Sequence, residues 1–256
     1  MLARVMKKIY RGLRRRLHSQ LVSAGRYPQR PNPIGSIRPW RAVLDRLFFG
    51  VVSFSQQGED LVIDRILRRK LDYNFSNQGF YIDVGAYHPV SYSTTYLLYL
   101  NGWSGICIDI SPESCSLLAK RRPRDRVLNL AVSNSNGMLY SSGSSKMSLI
   151  NSTTENAKSH SDKSVQAQTL TSILESEGIT DEIDYLNIDT EGTELEALQG
   201  LNFEKFRPKI ISIEIHHRDI ARALETESAR YLGGLGYECV GCTVITYFFV
   251  DGNLNS

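Results

Sequence analysis

The hydrophobic positions of this chain change period as it runs, and the changes mark its elements. Leu2, Val5, Met6, Ile9, Leu13, Leu17 and Leu21 fall three or four apart, which predicts an amphipathic helix over residues 1–24. Pro28, Pro31, Pro33, Pro39 and Gly35 then interrupt any helix, so residues 25–46 read as a linker. From 47 to 256 short, solidly apolar runs alternate with helical-period stretches. The runs at 80–84, 105–109, 127–132, 184–189 and 210–216 have the pattern of strands buried on both faces, with a shorter strand at 165–169. Ser55-Gln56-Gln57-Gly58-Glu59-Asp60 opens a helix carrying Leu61, Ile63, Ile66 and Leu67, with Ser55 as its cap. Further helices are expected over 90–100, from Ser111-Pro112-Glu113, over 170–177, from a Thr193-Glu194-Leu195-Glu196 capping box, and over 220–232. Residues 237–250 read as a final antiparallel pair. The whole predicts an α/β fold, a mostly parallel sheet with helices on both faces and an antiparallel edge hairpin, filling residues 47–256 as one domain.

Two segments depart from that rhythm. Residues 133–164 hold eleven serines and an Asn136-Gly137 hairpin signal, the composition of a mobile polar loop beside a site. The N-terminal stripe is embedded in Arg4, Lys7, Lys8, Arg11, Arg14, Arg15 and Arg16. Residues 1–46 carry twelve Lys/Arg against Asp45 alone, or +11, and the net +3 of the chain therefore leaves −8 on the remainder. A basic amphipathic helix suits an anionic membrane surface, here through residues 1–21. A solvated helix packing its stripe on the body and an Arg-rich presequence are the competing readings. Nucleic acid is not expected as a partner, because the charge lacks interleaved aromatics and no recognition motif follows.

Composition is that of an ordinary globular protein, with no apolar run near the roughly 20 residues of a membrane span and no secretory signal. Localisation is expected to be cytoplasmic, peripheral on the inner face of the membrane if the arm binds there. Cys107, Cys115, Cys239 and Cys242 form no disulfide framework. Cys239-Val240-Gly241-Cys242 stands alone within a late strand and reads as reduced thiols, with zinc or redox chemistry the alternative.

The candidate chemistry lies at strand ends. Asp83, Asp109 and Asp189 close three successive parallel strands, and ligands of open α/β sheets bind outside those ends. Gly85 permits a sharp turn after the first strand, and a helix start after Pro89 would attract anionic groups. The dinucleotide fingerprint needs two more glycines there, but Tyr87, His88 and Val90 occupy the turn, which disfavours a nucleotide-dependent oxidoreductase. An acid some 26 residues after the first is placed to accept hydrogen bonds from ribose hydroxyls. Asp83-Val84-Gly85-Ala86 resembles motif I of the Rossmann-like S-adenosylmethionine methyltransferases.

The run Asp184-Tyr185-Leu186-Asn187-Ile188-Asp189-Thr190-Glu191-Gly192-Thr193-Glu194 narrows the resemblance to the FkbM-type S-adenosylmethionine-dependent methyltransferases, whose signature is Asp-x-Glu-Gly-x-Glu. Ser55-Gln56 with Gly58-Glu59-Asp60, Gly102-Trp103 with Gly105, Ala131-Val132-Ser133 with Gly137, and Pro208-Lys209-Ile210-Ile211 before Glu214 are similar to that family in the same order. The similarity runs from about Ser53 to Val250. Asp109 stands where many members have Glu, and Tyr87-His88-Pro89 replaces the commoner Asn-x-Gly. The resemblance implies a Rossmann-like class I fold, S-adenosylmethionine as cofactor, and methylation of a hydroxyl of a sugar or a polyketide-like product, and a sugar, glycan or glycolipid is the expected acceptor. On that footing Asp109 is expected at the ribose, Asp83, Gly85 and Tyr87 at the methionine end, and Ile110, Ala131 and Val132 beside adenine. Gln56 and Glu59 are placed to close over the cofactor, and Asp189 adjoins it. For the proton of the acceptor hydroxyl the candidates are His216 and Asp189, ahead of Glu191. A divalent cation on Asp189, Glu191 and Glu214 is the rival, and a membrane-associated scaffold without turnover is the non-enzymatic alternative.

Overall fold

In chain order the elements are α1 (Glu59–Lys70), β1 (Phe80–Val84), α2 (Tyr96–Leu100), β2 (Ser104–Asp109), α3 (Pro112–Arg121) and β3 (Arg126–Asn129). Four short strands follow, β4 (Ala131–Val132), β5 (Gly137–Ser141), β6 (Met147–Ser148) and β7 (Ser164–Gln168), then α4 (Leu170–Ser176), β8 (Tyr185–Ile188) and α5 (Glu194–Gln199). The chain ends with β9 (Ile210–Glu214), α6 (Ile220–Ala223), α7 (Glu227–Gly234), β10 (Tyr237–Cys242) and β11 (Thr246–Asp251). This computed structural model describes residues 51–73, 78–141, 147–148, 164–180, 182–217 and 219–255, and Ser53–Ser256 forms one unit. The helix expected over 1–24, the linker over 25–46 and most of the serine-rich excursion lie outside the described residues. No described helix is long and apolar enough to cross a membrane.

The seven-stranded sheet has the order β10-β11-β9-β8-β1-β2-β3. β3, β2, β1, β8 and β9 are mutually parallel, and β11 and β10 run antiparallel at one edge. The expected α/β fold is the observed one. The chain builds outward from β1 through β2 to β3, then returns to lay β8 and β9 on the other side. Loops leaving β1 and β8 therefore diverge at their carboxyl ends and open a crevice there.

Strand alternation explains the layers. Ile82, Val84, Ile106, Ile108, Leu186, Ile188, Ile211 and Ile213 face the layer holding Leu170, Leu174, Leu198 and Leu232. Tyr81, Cys107, Tyr185, Ile210 and Phe248 face the layer of Ile63, Leu67, Leu98 and Leu118. The second face carries polar groups as well, and they join one another. Arg122, fully buried, donates from Nε to Asp125 Oδ2 (2.6 Å), and through Nη2 to Tyr81 Oη (2.7 Å) and Thr95 Oγ1 (2.9 Å). Thr95 donates to Asp83, which also takes the Asn187 amide (2.9 Å); Asn187 Oδ1 in turn accepts from Ser212 Oγ (2.6 Å).

Several boundaries differ from expectation for identifiable reasons. The helix expected from Val90 begins only at Tyr96, because Tyr92 is left-handed (φ 59°) and Ser93 and Thr95 are tied into the buried network. The third apolar run splits: β3 joins the main sheet, and β4 joins a second sheet of order β4-β7-β5-β6. Asn136 makes no hairpin between β4 and β5. It accepts the Thr169 N–H (2.9 Å) and donates to Ser172 Oγ (3.1 Å). The residue capping α1 is left-handed Gly58, while Ser55 bonds the buried Asp60. The capping box does not form: Thr193 makes no side-chain cap, and it is the Glu194 carboxylate that takes backbone N–H groups, those of Thr190 (3.2 Å) and Gly192 (2.9 Å). The expected helix over 220–232 breaks into α6 and α7, the second starting after Thr226.

Candidate functional site

A cavity of about 690 Å³ lies at the carboxyl ends of β1, β2, β8 and β9, the size of a small-molecule site. Its walls take Gln56, Glu59, Gly85, Tyr87, Asp109, Ile110, Ala131, Val132, Asp189 and Glu191 from the sequence-derived candidates. Asp83 and His216 are not among its lining residues.

The turn after β1 requires glycine. Gly85 has φ 80°, and a Cβ on it would collide with the Asp189 carbonyl, so the chain leaving β8 closes directly over bare backbone. The N–H groups of Gly85 and Ala86 both go to Ile108 O, at 2.9 and 3.1 Å, which pins the turn to β2. Asp109 closes β2 and accepts the N–H of Tyr87 and of Ser111, each at 2.8 Å, one per carboxylate oxygen. It thereby fixes the loop after β1 and the start of α3, and retains lone pairs for a ligand. Ser111 caps α3 by accepting the Ser114 N–H, as its sequence foretold. Ile110, Leu130, Ala131, Val132 and Leu139 give this end of the cavity an apolar wall.

The segment before α1 forms another wall. Asp60, buried, gathers Ser53 Oγ (2.6 Å), Phe54 N (2.7 Å) and Ser55 Oγ (2.9 Å) into a knot. Glu59 takes Gln57 N (2.7 Å) and Thr243 Oγ1 (3.2 Å), and Gln57 Oε1 accepts Val244 N (3.0 Å). The Ser55–Asp60 run is thus zipped to the β10–β11 turn, with Gln56 and Glu59 facing the cavity.

On the far side stands a pair of carboxyl groups. Asp189 hydrogen-bonds Glu214 from the end of the neighbouring strand. Asp189 is exposed to the cavity that it lines. Loss of surrounding water first, then the charge and hydrogen bond of Glu214, push it up to about 8. Glu214 is raised as well, chiefly by burial, with the Asp189 hydrogen bond opposing. Both carboxyl groups are thus held above their ordinary range and titrate as a pair. Glu191, left-handed at φ 53°, is exposed on the cavity rim.

Two candidates are corrected. Asp83 is not a strand-end group: it is the fourth of five residues in β1 and points into the helical layer, where Thr95, Asn187 and nearby Arg122 occupy it. Burial raises its pKa and Arg122 opposes that rise. His216 does face the same way as Glu214, 3.2 Å from it, but β9 has already ended and the imidazole is 67% exposed outside the cavity. The alternative cation site on Asp189, Glu191 and Glu214 is not assembled, since no group of three or more metal-ligating side chains converges among the described residues. Cys239 and Cys242 are free thiols on the edge strand.

Sequence reasoning passed over Thr94, whose buried hydroxyl adjoins Tyr185, and Tyr92, 62% exposed; both line the cavity. Asn187 also lines it. Its signal was present: a polar residue inside an apolar strand, between Leu186 and Ile188.

A family model described as the methyltransferase FkbM domain matches residues 83–239. Among solved structures, the chain is similar to a TehB-like SAM-dependent methyltransferase from Corynebacterium glutamicum, at 12% identity and TM-score 0.39, covering 83% of this chain and 94% of that one. An O-methyltransferase from Bacillus cereus in complex with SAH aligns at 11% identity and TM-score 0.41, over 85% of this chain and 93% of that one. A cofactor-bound protein from MTB aligns at 11% identity and TM-score 0.43, over 88% and 99%. No curated protein matches the chain.

Proposed function

The chain belongs to the methyltransferase FkbM family, and from that premise we propose that it methylates a hydroxyl of a sugar, carried on a glycan or a glycolipid, with S-adenosylmethionine as donor. The observation that carries this reading is a single cavity at the switch point of the sheet, with Asp109 at one end and the Asp189–Glu214 pair at the other.

The residues present fit the donor. The cavity has the volume for it and an apolar slot at Ile110, Ala131 and Val132 for adenine. Asp109, with lone pairs to spare, suits the ribose hydroxyls. The Gly85 turn, Tyr87 and the Thr94 hydroxyl lie where the methionine portion would reach, and Gln56 and Glu59 cover it. When bound, S-adenosylmethionine supplies an electrophilic methyl group on a sulfonium sulfur. The protein's own work is to hold an acceptor oxygen in line with that carbon, to keep water away and to take the proton. Asp189 and Glu214 are the groups positioned for that proton: the acceptor O–H is broken toward their shared negative charge. Asp83, through Asn187 and Thr95, holds the β1–β8 floor in place.

The basic stripe of residues 1–21 supports a further part of the proposal, reversible attachment to an anionic cytoplasmic leaflet where lipid-linked sugars reside. The test of the reaction is release of S-adenosylhomocysteine against a panel of glycans and lipid-linked sugars, followed by mapping of the methylated atom. Methyl transfer to nitrogen or carbon alone would end the hydroxyl reading.

A further inference from the structure

We infer that the acceptor half of this cavity selects a ring bearing a protonated amine, an amino sugar in preference to an acidic one. The inference rests on the methyltransferase reading and deepens it.

Five acids line the cavity, Glu59, Asp109, Asp189, Glu191 and Glu214, and among the described residues no Lys, Arg or His lines it. The acids divide by what they already do. Asp109 is bound to the Tyr87 and Ser111 N–H groups, and Glu59 to Gln57 N and Thr243. Asp189 and Glu214 are bonded to each other, and Glu191 stands beside them on the rim, all three at the carboxyl ends of β8 and β9, on the side away from Asp109. The donor brings two positive groups and one carboxylate, so its small net charge leaves most of that negative charge facing the acceptor. His216 lies 3.2 Å from Glu214, but it stands outside the cavity in solvent, where screening weakens it.

A second feature points the same way. Tyr92, in the same loop as the donor-side Tyr87, lines the cavity 62% exposed and holds a left-handed backbone at φ 59°. Bulky side chains rarely adopt that conformation. Here the loop is held to it by the Asp109 bond to Tyr87 N and by His88 Nδ1, which accepts the N–H groups of Val90 (3.1 Å) and Ser91 (2.9 Å). An exposed phenol face and carboxylates lining one cavity are two kinds of surface that attract an ammonium group. A carboxylated or phosphorylated ring would meet the same carboxylates with no cation to offset the repulsion.

The test uses the full chain and reads S-adenosylhomocysteine binding first, by calorimetry. Saturation-transfer NMR on the loaded protein then compares glucosamine, N-acetylglucosamine and glucuronate. Glucosamine is expected to bind tighter than glucuronate by at least about tenfold at low salt, with the gap closing as salt rises. N-acetylglucosamine, which keeps the ring and loses the charge, is expected to fall between them. Glu191→Gln should narrow the glucosamine preference several-fold. Glucuronate or N-acetylglucosamine binding as well as glucosamine, or no glucosamine binding to the loaded protein, overturns the selectivity. Failure of S-adenosylhomocysteine itself to bind overturns the methyltransferase reading instead.

Discussion

At the scale of single residues, Asp109 and the Asp189–Glu214 pair carry the sharpest expectations. Asp109→Ala is expected to weaken S-adenosylhomocysteine binding by about 1.5–3 kcal/mol, the worth of hydrogen bonds to a charged group. Calorimetry on folded variant giving wild-type affinity would remove Asp109 from the ribose. For the pair, turnover should rise with pH as it deprotonates, through an apparent pKa near the value of about 8 held by Asp189. Glu214→Gln removes the like charge, so Asp189 should ionise more easily and the rising limb should move to lower pH. A pH–rate profile unmoved by that change sinks the pair as the base. Asp189→Asn should cost about 10²–10⁴-fold in rate, whereas His216→Ala, out in solvent, should leave turnover close to normal. Asp109 and Asp189 were legible because an acid ending an apolar run has few other uses. Asp83 was not. A strand buried on both faces looks the same in sequence whether its acid reaches the edge or turns into the helical layer.

At the scale of elements, the least legible feature is Arg122. It lies within Lys120-Arg121-Arg122-Pro123-Arg124, a run indistinguishable in sequence from a solvated basic helix end, yet it is fully buried at the centre of a polar network. Only Asp125, three residues on, hints at an internal partner. Arg122→Met should destabilise the protein by about 3–5 kcal/mol, since it leaves buried carboxylates without their cation. Urea unfolding showing a loss under 1 kcal/mol would mean the network relaxes. The same network explains why α2 starts late: Ser93 and Thr95 are spent on Arg122 and Asp83, so their stretch cannot wind as helix. The false capping box has a similar cause. Thr193 and Glu196 have the right spacing, but Thr193 makes no side-chain cap, and the carboxylate that reaches the turn is that of Glu194, two positions before Glu196. Sequence spacing names the residues that fit a motif and cannot tell which neighbour takes the bond first.

At the scale of the whole molecule, the sheet and its edge hairpin followed from the order of apolar runs, while the second small sheet did not, because β4 and β6 are each two residues long. The basic arm makes its own prediction. Each surface-proximal Lys or Arg contributes roughly 1 kcal/mol at an anionic bilayer, so the full chain should pellet with anionic vesicles at low salt and release at high salt. A form lacking residues 1–46 should stay in the supernatant; if it pellets equally, the arm plays no part in attachment. The two faces of the main sheet also have different futures. One meets its helices through hydrocarbon alone, and cores of that kind accept extensive exchange of aliphatic side chains at constant volume. On the other, Ser212, Asn187, Asp83, Thr95 and Arg122 are joined hand to hand across β9, β8, β1 and the end of α3. A strand transplanted from a distant relative into that face would sever the series at two places at once. Lineages of this protein are therefore free to drift on one side of the sheet, and on the other must inherit their strands as a set.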